Sequence, residues 1–275
     1  MTKVKICGFT EPNNARDAAL AGVDAIGLVF YDKSPRNVDI HSAQKIIEAL
    51  PPFINRVGLF VNANPSFIDE ILCEVPLDTL QFHGDESVLD CAQYQMPFIK
   101  SLRVKPDTNV KEIAENFSSA SALLLDSFSP SSYGGTGESF DWSLACVKIS
   151  LPIILAGGLT VDNVADAIKQ VNPYAVDASS GVESAPGVKD IDMLCEIISK
   201  NNEALEVLKN KHQVDIRSYP EEVLNELYEI STKVVKELSL SSDFAKEVYN
   251  SYTSFHEKTR NWNEISIKSY LNTNK

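Results

Sequence analysis

The chain lacks any pair of cysteines close enough in sequence to read as a metal or redox motif. Its five cysteines, Cys7, Cys73, Cys91, Cys146 and Cys195, form no CxxC and no short Cys/His cluster. An odd, scattered set gives no disulfide framework and points to no metal site. Also missing is any apolar run near the roughly 20 residues needed to cross a bilayer, and any basic start leading into an apolar stretch and a cleavage site. The expectation is a soluble, cytoplasmic protein without a membrane partner. Positive charge is scarce: 25 Lys and Arg against 38 Asp and Glu leave a formal charge of -13. Nucleic-acid phosphates are held by stripes of Lys and Arg, so the balance argues for no nucleic acid as partner. An anionic substrate would have to be captured by a local site against a repulsive overall field. Glycine is absent after Gly187, and no glycine-serine linker divides the chain.

What is present is a core-forming sequence of 275 residues, 44% apolar, enough for one large domain or for a domain with an appendage. Short apolar runs recur through residues 3–199: VKICG, DAIGLVF, NRVGLFV, DTLQFHG, FIKSLRV, ALLLDS, PIILAGG and YAVDASSG. They have little polar alternation, as suits strands buried on both faces of a parallel sheet. Between them lie helical patterns such as NNARDAALAG, SAQKIIEAL, PSFIDEILCEV and VDNVADAIKQV, the last with Thr160 as its expected N-cap. Eight strands alternating with eight helices predict an α/β fold, a (β/α)8 TIM barrel over residues 1–200; a doubly wound open sheet is the competing arrangement.

Residues 201–275 differ in character. They contain no cysteine, one weak strand candidate, VDIRSY, and otherwise helical patterns. Ser218, Pro220, Glu221 and Glu222 suit a helix start. Apolar stripes follow at Val223, Leu224, Leu227 and Tyr228, and again at Phe244, Val248, Tyr249, Tyr252 and Phe255. The expectation is a helical C-terminal extension.

Catalytic groups of such barrels gather at the C-terminal ends of the strands. That rule singles out Cys7 after the first strand, Arg36 after the second, His83 after the fourth, Asp126 after the sixth and Asp177 after the eighth. The loops after strands seven and eight carry Gly157 and Gly158, then Ser180 and Gly181. Glycine lets backbone approach a ligand, and free N–H groups at a helix start favour an anion, so a phosphorylated small-molecule substrate is expected there. A thiolate at Cys7 and a carboxyl at Asp126, facing one another across the mouth, suit a base and an acid. Arg36 suits a bidentate carboxylate. By position alone, Cys7 is equally a buried hydrophobe, Asp126 a helix cap and Arg36 half of a surface ion pair.

Taken together, KICGFT, GLVFYDKSPRNV, RVGLFVN, QFHGDE, LLLDS, YGGTGESFDW, LAGGLTVDNV and AVDASSGVES with PGVKD resemble, in order and spacing, the phosphoribosylanthranilate isomerase family of tryptophan biosynthesis. The resemblance covers about residues 1–200. It implies an Amadori rearrangement of N-(5-phosphoribosyl)anthranilate without a cofactor or metal. Asp126 matches the family's general acid and Cys7 its general base. Arg36 would hold the anthranilate carboxylate, and Gly157, Gly158, Ser180 and Gly181 the phosphate. His83 and Asp177 would lie near the substrate, and the loop with Gly134, Gly135 and Gly137 would cover it. The related histidine-pathway isomerase has an aspartate where Cys7 stands. In the tail, EALEVLKNKHQVDIRSYPEEVL, DFAKEVYNSYTSFHEK and NWNEISIKSYL are similar to the C-terminal helices of TRAP-type solute-binding receptors. A fused fragment and a helical extension packing its aromatics on the barrel or on a second subunit both remain open. The sequence itself sets no oligomeric state.

Overall fold

The computed structural model describes residues 2–127 and 140–200, together with Lys233, Lys236, Glu237, Ser239, Leu240, Lys246 and Tyr249. Eight parallel strands, β1 (Lys3–Cys7), β2 (Ala25–Phe30), β3 (Asn55–Phe60), β4 (Thr79–Phe82), β5 (Phe98–Val104), β6 (Ala122–Ser127), β7 (Ile153–Leu155) and β8 (Ala175–Ala178), follow one another around a closed barrel. Closure is made by β8 against β1, with Val4 opposite Val176. All eight expected strands are therefore present, and the ring excludes the open doubly wound sheet.

Side chains two apart on a strand share a face. The inward columns are apolar low in the barrel, where Val57, Ile99, Ala122, Leu124, Ile154 and Ala175 meet. They turn polar towards the C-terminal end: Leu124 is followed by Asp126, Ala175 by Asp177, and Gln81 by His83. The outward faces bury the larger core against the helices. Phe30, Phe60 and Phe82 are register partners on β2, β3 and β4, with ring centroids 5.3 and 6.4 Å apart. Each such aromatic pair adds about 0.5–1.5 kcal/mol beyond its burial. The ladder fixes the strand ends from which Asn62 and His83 continue.

The helices are α1 (Pro12–Ala21), α2 (Ile40–Glu48), α3 (Pro65–Glu74), α4 (Val88–Ala92), α5 (Val110–Asn116), α6 (Val164–Val171) and α7 (residues 191–200). Their starts are locally encoded: the Asp39 carboxylate accepts from Ser42 N–H, and Ser87 and Asp90 form a capping box. Two sequence expectations need correction. Between β6 and β7 the described residues hold a 3-10 turn, Trp142–Ala145, rather than an α-helix. Asp141 caps that turn at Ser143, and Pro152 soon commits the chain to β7. Thr160 does not cap α6. Asn163 occupies that position, accepting from Thr160 N–H and donating to the Gly158 carbonyl, so residues 158–163 fold into a loop before the helix begins.

After β8 comes a second 3-10 turn, Ser180–Val182, and then an antiparallel hairpin, β9 (Glu183–Ala185) and β10 (Val188–Lys189). Gly187 turns that hairpin at φ +85°, packed on the Thr10 side chain. No helix among the described residues is long and apolar enough to cross a membrane. The chain divides into two compact units, residues 1–214 and 215–275. The five other described tail residues and Tyr249 are helical, and Leu240 lies in a turn. The strand candidate VDIRSY, the helix start at Ser218 and the Gly134, Gly135 and Gly137 loop lie outside the described residues.

Candidate active site

At the C-terminal mouth of the barrel is a cavity open to solvent. Cys7, Arg36, His83, Asp126, Gly157, Gly158, Asp177, Ser180 and Gly181, singled out from the sequence as catalytic or substrate-binding, line it. What separates them in the chain is bridged by the ring: β1 and β6 are joined through β8 and β7.

Cys7 is buried at the end of β1, and its thiol sits beside Gly27, where an added Cβ would come within 2.6 Å of Sγ. Gly8 follows at φ +87°, a left-handed conformation that turns the chain away from the thiol. The same glycine makes room for Arg36, whose Cδ a Gly8 Cβ would strike. Burial pushes the Cys7 thiol above its ordinary range. Lys5, Lys189 and Arg36 pull it back down in part, while Asp177 adds to the rise. Three cations around one thiol favour the thiolate as far as burial allows.

Asp126 accepts through Oδ1 from Ser127 N–H at 2.8 Å, and its Oδ2 lies 3.1 Å from His83 Nε2. Gln81, two residues before His83 on β4, brings its amide Nε2 to His83 Nδ1 at 3.0 Å. With Gln81 donating, Nδ1 accepts and Nε2 carries the proton towards Asp126; this tautomer is assigned from the hydrogen-bond network. Asp126 is thus a strand-end carboxyl bound to a histidine, not a helix cap.

Asp177 pairs with Lys5 at 2.7 Å in the barrel interior, and its Oδ1 has no hydrogen-bond partner among the described residues. Burial pushes the Asp177 carboxyl up, yet the same pair holds Lys5 above its usual range despite burial. The 2.7 Å contact with a side chain so well placed to donate favours the ionic form. Arg36 is indeed half of an ion pair, but a half-buried one at the cavity rim: Nε and Nη2 donate to Glu183 at 2.8 and 2.6 Å.

The two glycine loops touch. A Cβ on Gly181 would strike the Leu159 carbonyl, and one on Gly157 would come within 2.6 Å of Ser127 N. Gly157 and Gly158 adopt φ of +82° and +61°. Small residues at these positions let both loops close on one patch of cavity wall, where backbone N–H groups suit an anion. Among the described residues no group of three His, Cys, Asp or Glu side chains is arranged to hold a metal ion.

Sequence reasoning passed over Lys5, Gln81, Glu183 and Lys189. The first two stand two residues before Cys7 and His83 on the same inward faces, so strand period alone would have flagged them. Glu183 and Lys189 lie in GVES and PGVKD, whose meeting depends on the hairpin.

The profile described as N-(5'-phosphoribosyl)anthranilate (PRA) isomerase matches residues 4–200. The N-(5'-phosphoribosyl)anthranilate isomerase of Thiobacillus denitrificans is 50% identical over 198 residues, covering 72% of this chain and 97% of that protein. The one from Pseudomonas putida is 56% identical over 186 residues, covering 68% and 90%. Among solved structures, phosphoribosyl anthranilate isomerase from Thermotoga maritima is 38% identical, with a TM-score of 0.67 over 74% of this chain and all of that one. A crystal structure of such an enzyme with reduced 1-(o-carboxyphenylamino)-1-deoxyribulose 5-phosphate is 37% identical, with a TM-score of 0.64 over the same shares. Through residues 4–200, the chain belongs to the N-(5'-phosphoribosyl)anthranilate isomerase family.

Proposed function

We propose that the chain is a phosphoribosylanthranilate isomerase, converting N-(5-phosphoribosyl)anthranilate into 1-(2-carboxyphenylamino)-1-deoxyribulose 5-phosphate in tryptophan biosynthesis. The observation that carries this reading is the convergence of Cys7, Asp126 and the Arg36 guanidinium on one cavity whose far wall is the paired glycine loops. The ligand named in the related crystal complex has a carboxylate, a ribulose-derived chain and a phosphate, a set that these groups match.

Asp126 hands a proton to the ribose ring oxygen, and the ring opens to a Schiff base. His83 Nε2–H then donates to the carboxylate left behind, which lowers the cost of that transfer. The Cys7 thiolate removes the proton from C2, giving an enolamine that tautomerises to the ketone. Arg36 binds the anthranilate carboxylate, and the backbone around Gly157, Gly158, Ser180 and Gly181 binds the phosphate. Asp177, with one carboxylate oxygen unpartnered among the described residues, accepts from a sugar hydroxyl.

Residues 1–200 form the isomerase domain, and residues 201–275 form a C-terminal extension to it. Support comes from the end of the family match at residue 200.

The test is turnover of N-(5-phosphoribosyl)anthranilate, followed by loss of its fluorescence. Loss of general acid or base costs about 10²–10⁴-fold in rate, so Cys7→Ala and Asp126→Ala should fall by at least that much while keeping the fold. Ordinary activity in either variant refutes the assigned roles, and an inert wild-type chain refutes the reading.

A further inference from the structure

Arg36, which binds the carboxylate in the chemistry above, is one end of a charged chain whose other members that chemistry does not use. Arg36 grips Glu183 side-on, through Nε to Oε1 and Nη2 to Oε2. The grip occupies one edge of the guanidinium, leaving Nη1 and the second N–H of Nη2 without a partner among the described residues. The Arg36 stem is held from below, because only a glycine at position 8 leaves it space. Glu183 is itself held: its Oε1 also accepts from Lys189 Nζ at 2.5 Å and from Gly187 N–H at 3.2 Å. Lys189 continues to the carbonyl of Cys7 at 2.5 Å, which the Ser179 hydroxyl also binds at 2.9 Å. The Lys189 side chain is fully buried.

Neither Glu183 nor Lys189 is among the residues lining the cavity. A carboxylate directly behind an arginine opposes the capture of a second carboxylate, and its presence calls for another benefit. Burial pushes the Glu183 carboxyl up, and the hydrogen bonds and charges of Arg36 and Lys189 more than offset it, so it stays ionised. Together the three groups carry one net positive charge, and only one edge of it is free. An unclamped arginine would sample many rotamers and accept anions of many shapes; a clamped fork accepts a planar carboxylate at one angle.

We infer that Glu183, fixed by Lys189, is a positioning residue that sets the plane of Arg36 and thereby selects substrates bearing an aromatic carboxylate. The chain Arg36, Glu183, Lys189, Cys7 carbonyl also ties the carboxylate subsite to the strand end that carries the base. The inference rests on the isomerase reading, in which Arg36 meets the anthranilate group.

The experiment compares steady-state kinetics of the full chain on two substrates made in situ, N-(5-phosphoribosyl)anthranilate and N-(5-phosphoribosyl)aniline, which lacks the carboxylate. Loss of a preorganised bidentate contact weakens binding by about ten- to a hundredfold, so Glu183→Ala should raise KM for the anthranilate substrate by that factor. Its kcat should hold within about threefold, and its KM for the aniline substrate should not move. Glu183→Gln keeps one acceptor for Arg36 and should recover part of the loss. Equal changes on both substrates, or no change in the ratio of their KM values in either variant, overturn the inference. Circular dichroism separates those results from misfolding, and the Gln variant, which preserves side-chain shape, decides the matter if the Ala variant does not fold. A wild-type chain inert on both substrates instead removes the isomerase reading, and this inference with it.

Discussion

At the residue scale, Cys7 shows how one side chain satisfies two descriptions that looked exclusive in the sequence. It is buried, as a small apolar residue would be, and it lines the cavity, as a base must. Gly27 and Gly8 reconcile the two by leaving space on either side, and neighbouring Lys5, Lys189 and Arg36 supply charge. The placement of the candidate residues at one cavity was legible because a strand of period two puts an isolated polar residue at its end where apolar alternation breaks. The same period of two puts Lys5 and Gln81 on the faces of Cys7 and His83, yet a polar residue midway along an apolar run looks like a fault in the pattern and is easily passed over. The raised Cys7 value has a consequence for stability. A thiol whose value is raised on folding favours the folded state below the unfolded value of about 8.5, and that contribution is lost as pH rises through the folded value. The stability gap between the wild type and Cys7→Ala, measured by urea unfolding, should therefore shift against the wild type from about pH 8.5 upward. A gap constant from pH 7 to 10 would show that the thiol titrates normally. Over the same range, iodoacetamide should modify exposed Cys73, Cys146 and Cys195 well before Cys7.

At the scale of elements, the strands were readable and several connections were not. A strand buried on both faces announces itself as an unbroken apolar run, whereas a connection is decided by contacts made after the barrel closes. DWSLA has apolar residues enough for a helix, yet it forms a 3-10 turn packing Trp142 and Leu144 on the core. At VDNVADAIKQV the helix starts three residues later than Thr160 suggests, because Asn163 is spent on holding the Gly158 loop. The hairpin β9–β10 left no strand signal at all: three and two residues are too short to carry a period. The contact between the loops after β7 and β8 yields a prediction. A methyl on Gly181 must displace the Leu159 backbone, which has no flexible side chain to yield. Gly181→Ala should move the two loops apart and weaken phosphate capture. KM for the substrate and Ki for inorganic phosphate should rise together, by about tenfold or more for the loss of one or two charge-assisted hydrogen bonds. A rise in KM with unchanged Ki for phosphate would place the phosphate elsewhere.

At the scale of the whole molecule, the barrel and the family coincide: residues 4–200 match the profile, 72% of this chain aligns with 97% of the Thiobacillus denitrificans protein, and 74% of it with all of the Thermotoga maritima chain. Relatives of about the barrel's length are thus matched nearly whole by part of this chain. Among the described residues, those lining the cavity all lie before residue 182, and the supports Glu183 and Lys189 lie before residue 190. Helix α7 completes the outer layer, with Leu194 and Ile197 buried in the main core. A cut must fall after α7, since losing those two side chains would cost about 2–5 kcal/mol each. A fragment of residues 1–203 should thus fold and turn over N-(5-phosphoribosyl)anthranilate with kcat/KM within about threefold of the full chain, a margin of under 1 kcal/mol in transition-state stabilisation. It should also restore growth of a tryptophan auxotroph lacking this isomerase. A fragment that folds, by circular dichroism and a cooperative melt, yet has lost activity would assign residues 204–275 a part in the site. A fragment that is active but melts well below the full chain would instead show the extension packing on the barrel as a stabilising layer.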